Sequence, residues 1–567
     1  MDQENADKRY VLQPLLSCAE VDRQALYWQM EERSVVPGAD AKADACLSFG
    51  TFVNSLYEAY WRDLAGLRSI SFSVEPTGPR TGPCTIRLVR SRPDGTDEIV
   101  AQTSVDSSTA PIRIDVPPPA ESGVLHAEIY GADAMTLINR ASWTTGDPPR
   151  RAVGLAVIIC SFGKEAQLCR NLGKLAALAA GLAVIVEILV VHQGERPLTD
   201  FEPFATLLSE NVLNAKLRVI HQANFGGCGG FARGMLESFD SGATHVLTLD
   251  DDIDIDPHML PRLAALLRYV RDDTVIGGQM LDLHRPTKLY ASDETIDFET
   301  LEHRNPLKGL DLANPSSTRV FSKVRFSNYN AWWMCALPVD LLRRIGMPLP
   351  FFIRHDDTEH GYRAAMEGAR VVTMPGIFVW HQPFEEGRSP WISYYDRRNK
   401  MIAAAAHGKF RLLRALRWYN RDMKKALASR QYGFCLANCQ AVEDFLAGPG
   451  TVFSSPFRTH QRLRTTQAEA ILIAAVLRRL AINKRLQGST DPSQFAPLVS
   501  LLATAARAAP NERRIARAAF WLHFRVFRAA ARLAIHGRSA TRKYHLQARS
   551  FTDPAFWRRY LGIDGQS

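Results

Sequence analysis

No run of uncharged apolar residues in this 567-residue sequence is long enough to cross a bilayer. The longest candidates, LGKLAALAAGLAVIVEILVV and AEAILIAAVL, are interrupted by charge or too short. The start, MDQENADKRY, lacks the basic and apolar regions of a secretory leader. Nine cysteines, at 18, 46, 84, 160, 169, 228, 335, 435 and 439, include no CxxC…CxxC pair, which excludes the usual zinc ribbons; Cys435 and Cys439, one helical turn apart, are expected to pack in a core. These absences predict a cytosolic chain with reduced thiols that meets a membrane only peripherally, at its inner face. Acidic residues are scarce in one region alone. Residues 1–400 carry 41 basic and 51 acidic side chains and residues 401–567 carry 28 and 8, so the formal charge of +10 divides into −10 and +20. A tail that basic meets a polyanion, either nucleic acid or an anionic membrane. With 46% apolar and 23% charged residues the chain is globular, and its length predicts about three or four domains.

What is present divides into three parts. From about 65 to 145, SISFSVE, CTIRLVRS, DEIVAQT, PIRIDV and GVLHAEIYG alternate at period two between turn formers such as RPDG and PPPAESG, which predicts a β-sandwich or jelly roll over 1–150. Strand and helix then alternate over 151–400: AVGLAVIIC, QLCRNLGKLAALAAGL, VIVEILVVHQG, KLRVIHQA, GGFARGMLESF, THVLTLDDD. This pattern predicts a mostly parallel α/β sheet with its ligands at the carboxyl ends of the strands. Over 401–567, Ala/Leu/Arg-rich stretches, among them AEAILIAAVLRRLAINKRL, predict helices with a basic face. One of them sets Phe520, Trp521, Phe524, Phe527 and Leu533 among Arg517, Arg525, Arg528 and Arg532. Such a helix either lies on anionic lipid or packs its apolar stripe on the catalytic part.

The candidate chemistry sits at strand ends. Asp250-Asp251-Asp252 closes VLTL; because side chains alternate in an extended segment, Asp250 and Asp252 point the same way and can share a hard divalent cation, while Asp251 points elsewhere. Acids here also serve as a solvated loop or a helix cap. Asn224-Phe225-Gly226-Gly227-Cys228-Gly229-Gly230 reads as a glycine-rich turn before a helix, suited to close approach of a phosphate or to a tight structural turn. It fits neither the dinucleotide fingerprint nor the P-loop. Trp332 and Trp333 offer flat faces for sugar rings or belong to a core. In RHDDTEHGYR, Asp356 and Asp357 open a helix, where one carboxylate can be oriented and the other left as a general base, or both can cap. His381 closes VWH as a candidate third cation ligand.

Together DDDI, NFGGCGGFARG, YNAWWM, PLPFFIRHDDTEHGYR, VWH, YYDRRN and the terminal FWRRYLG resemble the polymerising galactofuranosyltransferases of glycosyltransferase family 2, the kind that builds mycobacterial cell-wall galactan. The resemblance spans about residues 50 to 400. It implies an N-terminal β-sandwich, a GT-A nucleotide-sugar domain and a C-terminal helical region. It further implies that Asp250, Asp252 and His381 hold Mn²⁺ or Mg²⁺ on a UDP diphosphate, with Asp251 nearby. Asp357 would be the base of an inverting transfer, and Trp332 and Trp333 would line the sugar site with His355 and Asp356. Asn224, Gly226 and Gly227 would border the nucleotide-sugar.

Three positions depart from the family pattern. Lys164 stands in CSFGK where the family has an arginine in Phe-Asn-Arg, His192 stands where it has an aspartate before Gln-Gly, and Asp396 stands in YYDRRN where the galactan polymerase has a histidine facing the acceptor. The expected activity is therefore transfer of galactofuranose from its UDP donor to a glycan or glycolipid acceptor. A same-fold enzyme using another donor, such as dTDP-rhamnose, and a non-catalytic glycan- or lipid-binding protein are the alternatives. The acidic first 400 residues and the lack of any zinc-finger or RRM signature argue against a nucleic-acid partner. A homo-oligomer is left open.

Overall fold

The computed structural model describes residues 8–563 except 35–42, 76–83, 106–110, 132–139, 179–182, 211–212, 214–215, 385–388, 430, 454–458, 461–462 and 464–509. The period-two segments form two antiparallel sheets. One runs in the order Tyr10–Pro14, Ala141–Thr145, Ile70–Val74, Ile112–Val116; the other runs Gln29–Ser34, Ala43–Ser48, Val124–Tyr130, Cys84–Ser91, Asp97–Val105, with Leu56–Tyr57 beside Val124–Tyr130. Their inward residues, among them Phe72, Trp143, Ile86, Leu88 and Ile129, are fully buried in one core. Four of these strands precede residue 65, outside the span that alternation had marked. Arg262 bolts this part to the rest: its buried guanidinium donates to the carbonyls of Val53 (2.8 Å) and Gly376 (2.9 Å).

The central sheet comprises β1 (Leu155–Ser161), β2 (Ile185–His192), β3 (Leu217–His221), β4 (His245–Asp250), β5 (Thr274–Asp282), β6 (Met334–Pro338) and β7 (Arg370–His381), in the order β3-β2-β1-β4-β6-β5-β7. Helix α1 (Glu165–Ala176) follows β1, and α2 (Gly226–Ser238) follows β3. The first four strands are parallel, as strand–helix alternation requires. Beyond Asp250 the sheet is mixed, since β6 runs antiparallel to both β4 and β5 while β5 and β7 are parallel. The expectation of a mostly parallel sheet therefore holds for its first half. The reason is the stretch between β5 and β6, which is short strands, turns and one 3-10 helix (Pro315–Phe321) with no α-helix, and lets the chain reverse direction.

Helix α3 (Asp356–Met366) precedes β7, and α4 (Pro390–Ala406) runs through residue 400 without a linker into α5 (Leu412–Ala428), α6 (Tyr432–Ala447) and the 42-residue α7 (Pro510–Phe551). Tyr419, Cys435, Cys439, Phe445, Leu533 and Tyr544 form the core of this bundle. On α7 the two readings of the apolar stripe fall on different faces. Leu522, Ala529 and Leu533 turn into the bundle, whereas Trp521 (57% exposed), Phe524 and Phe527 face outward. The predicted helix AEAILIAAVLRRLAINKRL and the Arg517 side chain lie outside the described residues. No helix among the described residues is long and apolar enough to cross a membrane.

Candidate active site

Strand register gathers the acids. Cys160 pairs with Asp250 and Ser161 with His192, so β1, β2 and β4 end side by side. The two-residue strand Asp254–Ile255 then runs antiparallel to the end of β7, pairing Asp254 with Trp380, and this swings Asp252 against His381. One ligand atom each from Asp250, Asp252 and His381 lie within 4.8 Å of one another. Asp251 turns away, as alternation predicts, and accepts from the Phe162 N–H (2.9 Å). Lys164, at the start of α1, holds its Nζ 3.6 Å from Asp252 Oδ2.

This donor set fits a divalent cation. His381 Nδ1–H donates to the Gln382 carbonyl (2.7 Å), so Nε2, facing Asp252 Oδ1 at 3.0 Å, either carries a proton, which the Asp252 charge favours, or offers its lone pair to a cation. Two lone pairs at that distance need a cation or a proton between them. Burial, and then the charge of Asp252, push the Asp250 carboxyl up to about 7, a repulsion that a bound cation relieves. Two carboxylates and one imidazole suit a hard or borderline ion of the Mg²⁺ or Mn²⁺ type.

The glycine-rich motif folds differently from the turn expected of it. Only Asn224 and Phe225 form the turn, and the glycines from Gly226 onward are already helix α2. Asn224 Oδ1 accepts from the Gly226 N–H (2.8 Å). Gly226 has φ +73°, and a Cβ there would lie 2.0 Å from the Phe352 carbonyl oxygen; Cβ atoms at Gly230 and Gly234 would strike Cys160 and Ile158 of β1. These glycines thus serve close packing of α2 on the sheet and on the Phe352 segment, which also accepts from the Cys228 N–H (3.1 Å). Gly227, in the first turn of α2, is the one glycine of NFGGCGG that faces open space, where a ligand can approach.

His192 is fully buried at the end of β2, its Nε2–H donating to the Arg196 carbonyl (3.0 Å) and its ring edge-on to His221. Next to it, Gln193 ties the neighbourhood together: Oε1 accepts from the Phe225 N–H (2.8 Å) and Nε2 donates to the Gly226 carbonyl (2.9 Å).

The two tryptophans part company. Trp332 packs in a core with Phe231 and His360, whereas Trp333, whose Nε1–H donates to the Gly278 carbonyl (3.0 Å), lines a small cavity with Asp293, Glu294, Tyr329 and Asn330. Glu294 and Tyr329 were not read from the sequence. The Tyr329 hydroxyl donates to Glu294 Oε2 (3.0 Å), and His303 closes the group from the other side. SDET carries no pattern that distinguishes it from a loop, so only the fold reveals this acidic wall.

The carboxylate pair follows a segment held in an unusual backbone. Phe352 (φ 76°), Arg354 (φ 67°) and His355 (φ 64°) are all left-handed, a conformation costing non-glycine residues about 1 kcal/mol or more each. Arg398 Nη2 fixes this segment through the Phe351 carbonyl (2.9 Å) and Asn399 through those of Ile353 and Arg354 (both 2.8 Å). His355 Nε2–H donates to Asp396 Oδ1 (2.8 Å), and no described group hydrogen-bonds its buried Nδ1. Although burial raises it, Asp396 is held well below the usual carboxylate range by Lys400 and His355. Asp396 is thereby engaged within the chain. Asp357 Oδ1 accepts from the Thr358 N–H (2.6 Å) and hydroxyl (3.0 Å). Burial raises both Asp356 and Asp357; the charge of Asp357 raises Asp356 further, whereas His355 and the Thr358 hydrogen bonds pull Asp357 back down.

Residues 149–403 match the family described as glycosyltransferase like family 2, and residues 14–146 match the galactofuranosyltransferase 2 N-terminal family. The chain is 28% identical over 456 residues to the galactofuranosyltransferase GlfT2 of Mycobacterium tuberculosis, covering 76% of this chain and 70% of that protein. It is also 28% identical over 448 residues to the GlfT2 of Mycolicibacterium smegmatis, covering 75% and 68%. Among solved structures, GalNAc-T7 with UDP, GalNAc and Mn²⁺ aligns with a TM-score of 0.36 and 13% identity over 47% of this chain and 49% of that one.

Proposed function

From the matches of residues 149–403 to glycosyltransferase like family 2 and of residues 14–146 to the galactofuranosyltransferase 2 N-terminal family, we propose that the chain transfers galactofuranose from UDP-galactofuranose, with inversion, to a hydroxyl of a growing cell-surface glycan. The observation that carries this reading is the convergence of Asp250, Asp252 and His381 at the carboxyl edge of the sheet, near enough to Asp357 for its charge to raise Asp250. When bound there, Mn²⁺ or Mg²⁺ supplies Lewis-acid neutralisation of the departing diphosphate. Lys164 adds a second positive group beside Asp252, as a point charge without the arginine fork.

Asn224 and Gly227 border the donor, and Asp251 holds the end of β1 in place beneath it. His192 is too well packed to reach a ligand directly and shapes the nucleotide pocket through the Arg196 carbonyl. Asp357 takes the proton of the acceptor hydroxyl as that oxygen attacks the anomeric carbon from the face opposite UDP. Its Oδ1 is occupied by Thr358, so Oδ2 is the basic oxygen. No covalent intermediate is required. Trp333, with Glu294 and Tyr329, forms the acceptor wall, and Trp332 supports it from the core. Asp356 and His355 orient the segment from which Asp357 projects.

The exposed Trp521, Phe524 and Phe527 between arginines of α7 support seating on an anionic membrane surface, where a lipid-linked acceptor would be held. The proposed division is into three parts at about 150 and 400, with α4, which runs across residue 400, shared by the last two. The test is a panel of UDP- and dTDP-sugars with and without chelator. Manganese-dependent consumption of UDP-galactofuranose is expected; an inert UDP-galactofuranose with dTDP-rhamnose consumed transfers the reading to a rhamnosyltransferase.

A further inference from the structure

After α7 the chain does not run off the bundle. Residues 552–561, including the short helix α8 (Pro554–Tyr560), turn back onto the central sheet and join the core that contains Phe231, Trp332 and Cys228. Two anchors hold them. At the first, the Met347 N–H donates to the Thr552 carbonyl (2.8 Å), and the Trp557 indole N–H donates to the Pro348 carbonyl (2.9 Å) from a ring that is 1% exposed. Gly346, at φ +77°, has no room for a side chain because a Cβ would lie 2.6 Å from the Thr552 carbonyl oxygen. At the second, the Tyr560 ring lies 5.3 Å from that of Phe225, and Leu561 approaches Gly229.

What these anchors grip is specific. Met347 and Pro348 begin the segment that passes through the left-handed Phe352, Arg354 and His355 to Asp356 and Asp357. Phe225 lies between Asn224 and Gly227 in the turn that opens α2. The two gripped pieces also meet each other, since Cys228 donates to Phe352 through its N–H (3.1 Å) and its thiol approaches the Leu349 carbonyl (3.1 Å). Three left-handed residues in four are held only as firmly as the chain on either side of them. On the far side Arg398 and Asn399 do this; on the near side the C-terminal hook does so together with α3, from which Arg363 Nη2 donates to the Met347 carbonyl (2.8 Å) and His360 Nε2–H to that of Gly346 (3.0 Å).

We propose that Thr552–Leu561 is a positioning element of the transfer site, with Trp557 setting the segment that presents Asp357 and Tyr560 setting the turn that borders the donor. The proposal rests on the reading of Asp357 as base and of the turn as donor border. It makes the two anchors separable. Trp557→Phe keeps the ring packing and deletes the indole donor, so kcat should fall about tenfold with the donor KM unchanged, as expected of a small misplacement of a catalytic group. Tyr560→Leu removes the ring against Phe225, so the donor KM should rise about tenfold with kcat retained, while Tyr560→Phe restores it. Leu546→Ala, exposed on α7 outside the hook, serves as the unchanged control.

A merely structural role would lower the folded fraction and leave kcat and KM per folded molecule where they were; that outcome, or both variants within about twofold of wild type, overturns the proposal. A readout without mutation guards against misfolding. In the full chain, UDP with Mn²⁺ should slow hydrogen exchange in 552–561 together with 225–229 and 347–355, and exchange in 552–561 that ignores UDP overturns it. Failure of the underlying reading shows separately, as full turnover in Asp357→Asn.

Discussion

Asp357→Asn is the sharpest perturbation available because the structure says what it preserves. The asparagine oxygen can accept both Thr358 donors that now reach Asp357 Oδ1, at 2.6 and 3.0 Å, so the start of α3 keeps its hydrogen bonds. The volume is unchanged, and the proposed cation ligands are other residues. What disappears is the basic Oδ2. General-base catalysis contributes about 10²–10⁴-fold, or about 3–5 kcal/mol of barrier. The upper half of that range is expected, because the site is buried and the same burial disfavours the ionised form of Asp356, which makes it a poor substitute. The assay is UDP release from UDP-galactofuranose in the presence of acceptor and Mn²⁺, with UDP affinity measured by calorimetry. Loss of turnover of about a thousandfold with affinity retained is the expected result. Turnover within about tenfold of wild type refutes the base assignment, and loss of UDP binding shows that the substitution acts through the fold instead.

Other perturbations separate packing from chemistry. Burial is the chief cause of the raised Asp357 pKa and Glu294 adds to it; because a negative neighbour favours the protonated form, Glu294→Gln should lower that pKa and move the acid limb of the kcat–pH profile to lower pH. Gly226→Ala puts a Cβ 2.0 Å from the Phe352 carbonyl oxygen at a left-handed φ and should cost more than about 1–3 kcal/mol, read as a fall in melting temperature of about 2–4 °C per kcal/mol. Gly227→Ala faces open space, so it should melt like wild type and weaken UDP-sugar binding. Serine at Trp521, Phe524 and Phe527 should abolish flotation with anionic liposomes while leaving turnover of a soluble acceptor intact.

The parts of the site that rest on local periodicity were legible in the sequence. Alternation alone orients Asp250 and Asp252 alike and turns Asp251 aside, and a buried apolar run ending in VWH delivers His381 to the same edge. The sandwich strands after residue 65 and the parallel half of the sheet follow from the same rule. What was not legible depends on contacts between distant segments. Glu294 and Tyr329 are 35 residues apart and meet through a hydrogen bond that neither residue's neighbours announce. The glycines of NFGGCGG looked like a ligand loop because glycine signals both close ligand approach and close packing; only the nearness of Phe352, Cys160 and Ile158 tells them apart. The grip of Trp557 on Pro348 spans 209 residues. The antiparallel half of the sheet was missed because a reversal made by short strands and turns leaves no α-helical spacer in the sequence.

The central claim is an inverting transfer from a UDP-furanosyl donor with Asp357 as base. It is tested most directly by NMR of the product made from UDP-galactofuranose and a defined glycan acceptor. The account predicts a new glycosidic bond whose anomeric configuration is opposite to that of the donor. Retained configuration, or no transfer by a folded, Mn²⁺-supplied enzyme, would contradict it.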